Sequence, residues 1–299
     1  QFCDMVIFGC PDDTGVRLNR GRPGASKGPD SIRSMFYKMA LPLDPKFGEV
    51  MKIYDAGNID TFDDIIKTHK EAYMMASSIV SKSATVVALG GGHDFAAPNI
   101  LGWIDGRDRN IPKARNRSET FGVLNIDPHL DVRELENDRP HSGTPFRQVV
   151  QSGKVSGHCL VQFGAREGRN ARSHFAFCKE NKVQIHTFEE LMSSGNLPNN
   201  FKSVLTKLAS RTSEIAVTLD IDSCCDLEGA SAAPVIGFTA WDLCQFAYSA
   251  GQNSKVTYFE IAEVAPDLDP TLRSSRVAGE ILYFFMKGRL KLAQSTRES

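Results

Sequence analysis

The chain has 299 residues, is 41% hydrophobic and carries a formal net charge of −1, with a pI near 6.7. This globular composition excludes a nucleic-acid footprint and an acidic tail, and no apolar run reaches the roughly 18 residues that a membrane span needs. Seven cysteines lie scattered without a metal-binding or disulfide rhythm and no secretory leader is visible. The expectation is a cytoplasmic protein of a reducing compartment, acting on a small molecule, with neither nucleic acid nor membrane among its partners.

Eight short, mostly β-branched runs punctuate the chain, and stretches of helical period separate nearly all of them. Asp4–Phe8 is the first. Pro29 then opens a helix at a first-turn position, with Ile32, Met35, Phe36 and Met39 on one face. Val50–Tyr54 follows, then an amphipathic helix over Thr61–Val80 and the run Ala84–Leu89. Gly106–Ser118 is polar and reads as a peripheral loop. Phe121–Ile126 precedes a second polar loop, Arg133–Ser142, and Arg147 belongs to the start of the helix after it. Cys159–Phe163, Lys182–Thr187, Ile215–Ile221 and Val256–Ile261 complete the strands, with helices over Thr239–Ala250 and Val277–Leu292. Strands alternating with helices predict a parallel sheet covered on both faces, in a single domain over 1–299.

The polar residues at the ends of three of these runs carry the chemistry. They are His93 after Gly90-Gly-Gly, then Asp127, His129 and Asp131 in Asn-Ile-Asp-Pro-His-Leu-Asp, then Asp220 and Asp222 in Leu-Asp-Ile-Asp. A spacing of two puts Asp127, His129 and Asp131 on one side if the chain stays extended. The three glycines permit close approach of another group to the backbone. Strand ends of an open α/β sheet face the ligand crevice. Four carboxylates gathered there need a counter-charge, which two divalent cations would supply. Carboxylates with one or two imidazoles suit hard to borderline ions such as Mn²⁺. A lone Asp-x-Asp is more often a solvated strand end or a cap, and a histidine after glycines more often a turn residue. Three such clusters at three strand ends are hard to explain that way.

These motifs resemble the metal motifs of the ureohydrolases, the arginase, agmatinase and formiminoglutamase superfamily. Gly15-Val-Arg-Leu-Asn-Arg-Gly-Arg-Pro-Gly-Ala25, Gly28-Pro-Asp-Ser-Ile-Arg33 and Glu263-Val-Ala-Pro266 are similar to that family too. The resemblance runs nearly end to end. It implies a three-layer α/β/α sandwich around an eight-stranded, mostly parallel sheet, and two Mn²⁺ per subunit. His93 and Asp131 would serve one ion, His129 and Asp222 the other, and Asp127 and Asp220 would bridge them. A hydroxide shared by the ions would attack a planar C=N carbon. Asp131 would pass its proton to the departing nitrogen, and Glu263 would pair with the cationic head group. It also implies a homo-oligomer, a trimer or a hexamer.

Within the superfamily the chain looks most like formiminoglutamases. Asp131-Val-Arg133 and Ser142-Gly-Thr-Pro-Phe-Arg-Gln148 resemble their Asp-Leu-Arg and Ser-Gly-Thr-Pro-Phe-Arg-Gln. The arginase asparagine two positions after the metal aspartate is absent, as is the arginase His-Gly-Gln-Pro. N-formimino-L-glutamate carries two carboxylates, which the planar fork of arginine holds well. Arg133 is the first candidate for that clamp, Ser142 and Asn170 are candidate hydrogen-bond donors, and Arg169 is a second cation. The expected reaction gives L-glutamate and formamide. The alternatives are a ureohydrolase for another guanidino substrate (a guanidino acid, agmatine or arginine) and a catalytically silent regulatory relative.

Two departures stand out. Pro128 replaces the usual alanine, a change that a strand end tolerates. After Asp222 the chain reads Ser-Cys-Cys-Asp-Leu-Glu where relatives have an Asp-Pro turn, with Asp226 replacing the usual turn acid. Oxidation of Cys224 or Cys225, or a disulfide to Cys244, would displace Asp222; the plainer reading is a small buried apolar residue.

Overall fold

The structure is a computed structural model and describes residues 3–40, 51–110 and 121–298. Its eight strands are β1 (Cys3–Gly9), β2 (Ile53–Asn58), β3 (Ser83–Leu89), β4 (Phe121–Ile126), β5 (Leu160–Ala165), β6 (Gln184–Thr187), β7 (Glu214–Asp220) and β8 (Val256–Ala262). They form one sheet in the order β2-β1-β3-β8-β7-β4-β5-β6. Every pairing is parallel, where the resemblance implied only a mostly parallel sheet. The central strands are buried on both faces: every residue of β4 and β5 is buried, as their unbroken apolar runs predict.

The helices are α1 (Thr14–Leu18), α2 (Gly28–Phe36), α3 (Ile65–Ile79), α4 (Ala96–Asn110), α5 (Pro145–Gln151), α6 (Arg172–Glu180), α7 (Phe188–Ser193), α8 (Leu197–Ala209), α9 (Ala240–Gln252) and α10 (Arg273–Glu298). Two groups cover the sheet. In one, α10 packs on α2 and on α9, and α9 on α8; in the other, α4 packs on α3 and on α5. Local chemistry sets several starts. Asp64 caps α3 through the Ile66 N–H, and Thr187 with Glu190, and Thr239 with Asp242, form capping boxes on α7 and α9. No helix among the described residues is long and apolar enough to cross a membrane.

The register across the four central strands matters most. Leu89 of β3 pairs with Ile261 of β8, Ile261 with Leu219 of β7, and Leu219 with Ile126 of β4. These four residues form one row. The chain therefore leaves the sheet at the same level on all four strands, and His93, Glu263, Asp220 and Asp127 follow within one to four residues of that row.

Three expectations need correction. Of the peripheral loop over Gly106–Ser118, the part up to Asn110 is the last turn of α4, and the rest lies outside the described residues. Gly102 and Gly106 are packing residues, since a Cβ there would stand 2.3 Å from the Tyr73 carbonyl oxygen and 2.6 Å from that of Ser77. They let α4 lie directly on the backbone of α3. Val50, the first residue of the second expected strand, also lies outside the described residues, and β2 is shifted to Ile53–Asn58. Its polar end survives as an edge strand because Arg33 holds Asp55 through Nε at 2.8 Å. Finally, Ile221 belongs to a tight turn after β7, for reasons that concern the site.

Candidate metal centre

Asp127 and Asp220 share one local device. Asp127 directly follows β4 and Asp220 ends β7, and each accepts, through Oδ1, the backbone N–H two residues on: His129 at 2.7 Å in the first case, Asp222 at 2.7 Å in the second. These Asx-type bonds bend the chain immediately after the strand. The expectation of an extended Asp127–Asp131 segment therefore fails, because the chain bends at Pro128 and His129 and Asp131 takes φ 48°.

Each aspartate keeps its other oxygen for a common centre. His93 Nδ1 lies 3.1 Å from Asp127 Oδ2, 3.1 Å from Asp131 Oδ2 and 3.2 Å from Asp220 Oδ2. His129 Nδ1 lies 3.3 Å from Asp127 Oδ1 and 3.9 Å from Asp222 Oδ2. Asp127 thus faces one imidazole with each oxygen. The Gly90–Gly92 turn delivers His93 by running against the neighbouring loop, where a Cβ on Gly91 would fall 1.9 Å from the Asp12 carbonyl oxygen. Glu263 clamps the same turn, its Oε1 accepting the His93 N–H at 2.8 Å.

The electrostatics are those of a site with too much charge of one sign. Burial, then Asp127, pushes Asp131 up to about 7. Burial, then the neighbouring carboxylates, likewise raises Asp220, Asp222 and Glu263. Burial alone would lower both histidines, but the aspartates outweigh it, holding His93 well above the usual range and His129 up at about 10. Only Asp127, between two imidazoles, is held far below the ordinary carboxylate value despite its burial. Buried donor atoms are also left over, since Asp222 Oδ1 and Glu263 Oε2 have no hydrogen-bond partner. Hard oxygen donors with two imidazoles, short of positive charge and with free lone pairs, fit a pair of divalent cations.

Above the cluster opens a pocket of about 400 Å³. The structure brings all the candidate substrate residues to its wall: Arg133, Ser142, Arg169 and Asn170 line it with Glu263. Asn170, expected as a donor to substrate, is otherwise engaged. Its Nδ2 donates to the carbonyls of Pro128 and Arg166, both at 2.9 Å, and its Oδ1 accepts from the Leu130 N–H at 2.8 Å. It staples the loop that carries His129. Arg147 is also internal, donating Nε to the Val132 and Arg133 carbonyls and lying over the Phe177 ring at 4.1 Å. The wall contains residues not foreseen from the sequence, chiefly Asn19, His174 and Ser231. Asn19 lies within the Gly15–Ala25 motif, but nothing local says that it reaches Ser142, 123 residues away.

Asp131 and Glu263 both adopt left-handed backbone, with φ of 48° and 66°. Side chains rarely do so outside turns, and strained positions gather at functional sites. The segment after Asp222 is well held: Cys225 N–H donates to the Phe238 carbonyl and Phe238 N–H to that of Ser223, both at 2.8 Å. Asp226 takes the left-handed turn position, φ 58°, which suits an acid replacing the usual turn residue. The six cysteines whose side chains are described are all free. Burial pushes the Cys224 and Cys244 thiols up to about 12, as for small buried apolar residues, whereas Cys225 is only partly buried.

A fully parallel α/β sheet with an imidazole–carboxylate cluster at the C-terminal ends of its central strands defines a crevice enzyme of the metal-site class. The model of the arginase family matches residues 3–287. Formimidoylglutamase of Staphylococcus aureus (strain Newman) is 28% identical over 284 residues, 94% of this chain and 85% of that protein. A crystal structure of Trypanosoma cruzi formiminoglutamase with Mn²⁺ matches with a TM-score of 0.84 and 27% identity, covering 96% of this chain and 94% of that one. Formimidoylglutamase from Bacillus subtilis gives the same TM-score, 0.84, at 27% identity, over 97% of this chain and 88% of that one. The chain belongs to the arginase family.

Proposed function

We propose that this chain is a binuclear-manganese formiminoglutamase that hydrolyses N-formimino-L-glutamate to L-glutamate and formamide. The observation that carries the reading is the pairing of a carboxylate–imidazole floor with a cationic wall. Neither Arg133 nor Arg169 has an ion-pair partner among the described residues, and both face the pocket. A substrate with two carboxylates and a planar C=N head fits that polarity; agmatine, a dication, is repelled by it. Family membership and the Mn²⁺-bound relative support the same reading.

In this reading His93, Asp127, His129, Asp131, Asp220 and Asp222 would hold the ions. When bound, the ions supply a water ionised at neutral pH and positive charge around the carbon under attack. Asp131 handles the proton because of its access: its side chain is 12% exposed, while those of Asp127, Asp220 and Asp222 lie between 0% and 3%. Water adds across the C–N bond, OH to carbon and the proton through Asp131 to the departing nitrogen, which leaves as the amine of glutamate. Glu263 accepts from the head-group N–H through Oε2, the oxygen without a partner. Arg133 holds a carboxylate and Ser142 donates to it. Asn170 acts only by fixing the His129 loop. The whole chain is then one catalytic domain, and a cytoplasmic trimer or hexamer, checked by light scattering, goes with the reading.

The assay is end-product analysis with manganese-loaded protein. Formamide from N-formiminoglutamate is expected; urea from a guanidino acid, with no formamide, would replace this substrate by the alternative that the same arginines suit. Retention of all six donors argues against a silent relative. Arg133→Leu should raise KM by ~10–100-fold, the loss of a charge-assisted hydrogen bond, with manganese content intact. An unchanged KM would remove Arg133 from carboxylate binding.

A further inference from the structure

We propose that Asn19 is a specificity-determining positioning residue, which keeps the Arg133 charge and the Ser142 hydroxyl proton available for an anionic ligand. The proposal rests on the reading of Arg133 as the carboxylate clamp. Its basis is a relay across the pocket mouth. Arg133 Nη1 donates to Asn19 Oδ1, and Asn19 Nδ2 donates to Ser142 Oγ at 2.9 Å.

The orientation of the amide follows from chemistry. A guanidinium has only donors, so Asn19 must turn its oxygen to Arg133. Its NH₂ then faces Ser142, and the hydroxyl oxygen must accept. Two consequences follow. Arg133 is aimed by a neutral partner, so its charge is oriented without being cancelled. Ser142 is engaged through its oxygen, so its O–H is free to donate elsewhere, and no other partner of that hydroxyl occurs among the described residues.

The frame around the relay is rigid. Arg133 N–H donates to the Gly143 carbonyl at 2.8 Å, and the Arg133 carbonyl accepts from Arg147 Nε at 3.1 Å. Ser142 N–H donates to the Gly15 carbonyl at 3.1 Å, which ties this loop to the segment that carries Asn19. Asn19, Arg133 and Ser142 all line the same pocket. With the backbone fixed on both sides, the character of the mouth depends on which atoms residue 19 presents.

An aspartate of the same shape reverses both effects. It would pair with Arg133 and cancel its charge, and it would take the Ser142 proton. Both anion-binding donors would be consumed without a change of volume. Alanine would leave Arg133 charged but unaimed, and Ser142 free. The order of damage is therefore Asn19→Asp above Asn19→Ala, the reverse of what volume loss alone predicts.

The experiment compares wild type, Asn19→Asp and Asn19→Ala, all manganese-loaded. It reads KM and kcat for N-formiminoglutamate, calorimetric binding of L-glutamate, manganese content and Tm. Asn19→Asp should weaken glutamate binding and raise KM by about 30-fold or more, the scale of two lost donors to a carboxylate. Asn19→Ala should cost about 3–10-fold, and in both variants kcat and manganese content should hold, as for loss of uniform binding. Equal KM effects in the two variants, an unchanged KM in Asn19→Asp, or losses that track Tm or manganese would overturn the proposal. A wild type that releases no formamide but binds glutamate, with binding lost in Asn19→Asp, retires the substrate assignment and keeps this one. Glutamate binding that is absent in wild type, or equal in wild type and Asn19→Asp, rejects it.

Discussion

Asp127→Asn should give a folded protein that retains no manganese after gel filtration and hydrolyses N-formiminoglutamate at least ~10³-fold more slowly, since several kcal/mol of charge stabilisation leave with the ions. Asparagine isolates the charge. Its carbonyl can still accept the His129 N–H that Asp127 Oδ1 accepts now, so the bend after β4 survives. What it cannot do is present an anionic oxygen to each of His93 and His129, which is the geometry of Asp127 alone. Asp220→Asn should behave in the same way, because Asp220 repeats the bend and faces His93 with its other oxygen. Elemental analysis beside the rate decides the matter. Wild-type activity in either variant, with the metal shown to be absent, would dismiss the two-ion mechanism.

Manganese should also raise Tm, by about 4 °C at a hundredfold excess over Kd, from ~2.7 kcal/mol of linkage in a domain of this size. At one fixed manganese concentration the gain should grow as pH rises from 5.5 to 8.5, and the sign follows from the site. Asp131 is raised in the folded protein to about 7 by burial and Asp127, so its contribution is complete below the unfolded value near 3.8 and is lost as pH rises through 7. His129, raised to about 10, contributes below its unfolded value near 6.5 and loses that as pH climbs through 10. Both slopes fall with pH in the chelated protein. Ion binding requires the same groups unprotonated, so it strengthens over that window. Scanning calorimetry with EDTA and with manganese at three pH values gives the difference, in which groups remote from the site cancel. A gain that shrinks with pH would mean that the ions bind elsewhere.

The central strands of this fold are readable because they are apolar runs of the length that a doubly covered sheet requires, and the run Phe121–Ile126 coincides with β4 to the residue. The six candidate ligands are readable only as a set, since one Asp-x-Asp passes for a strand end or a cap and three polar clusters at the ends of three buried runs do not. What escaped depends on partners remote in sequence. Gly102 and Gly106 look like breakers until the backbone of α3 lies on them. Asn170 resembles a substrate donor until Pro128 and Arg166 take its amide hydrogens. The left-handed backbone of Asp131 and Glu263 leaves no trace in residue type, because both positions run against propensity. Arg33 holding Asp55, which rescues the polar end of β2, joins residues in two different elements.

The strand order has a consequence for how the chain assembles. The last two strands to be synthesised, β7 and β8, occupy the middle of the sheet, between β3 and β4. Without them, β2-β1-β3 and β4-β5-β6 have no strand pairing to each other, and β3 and β4 would each present an open edge of the kind that invites mispairing. Insertion of the keystone pair closes both edges at once. The same event completes the cluster of candidate ligands, which come from the two seams and from the insert itself. An ion that requires all of them should act as a latch on the final closure, resisting the withdrawal of β7 and β8 and slowing unfolding more than it speeds folding.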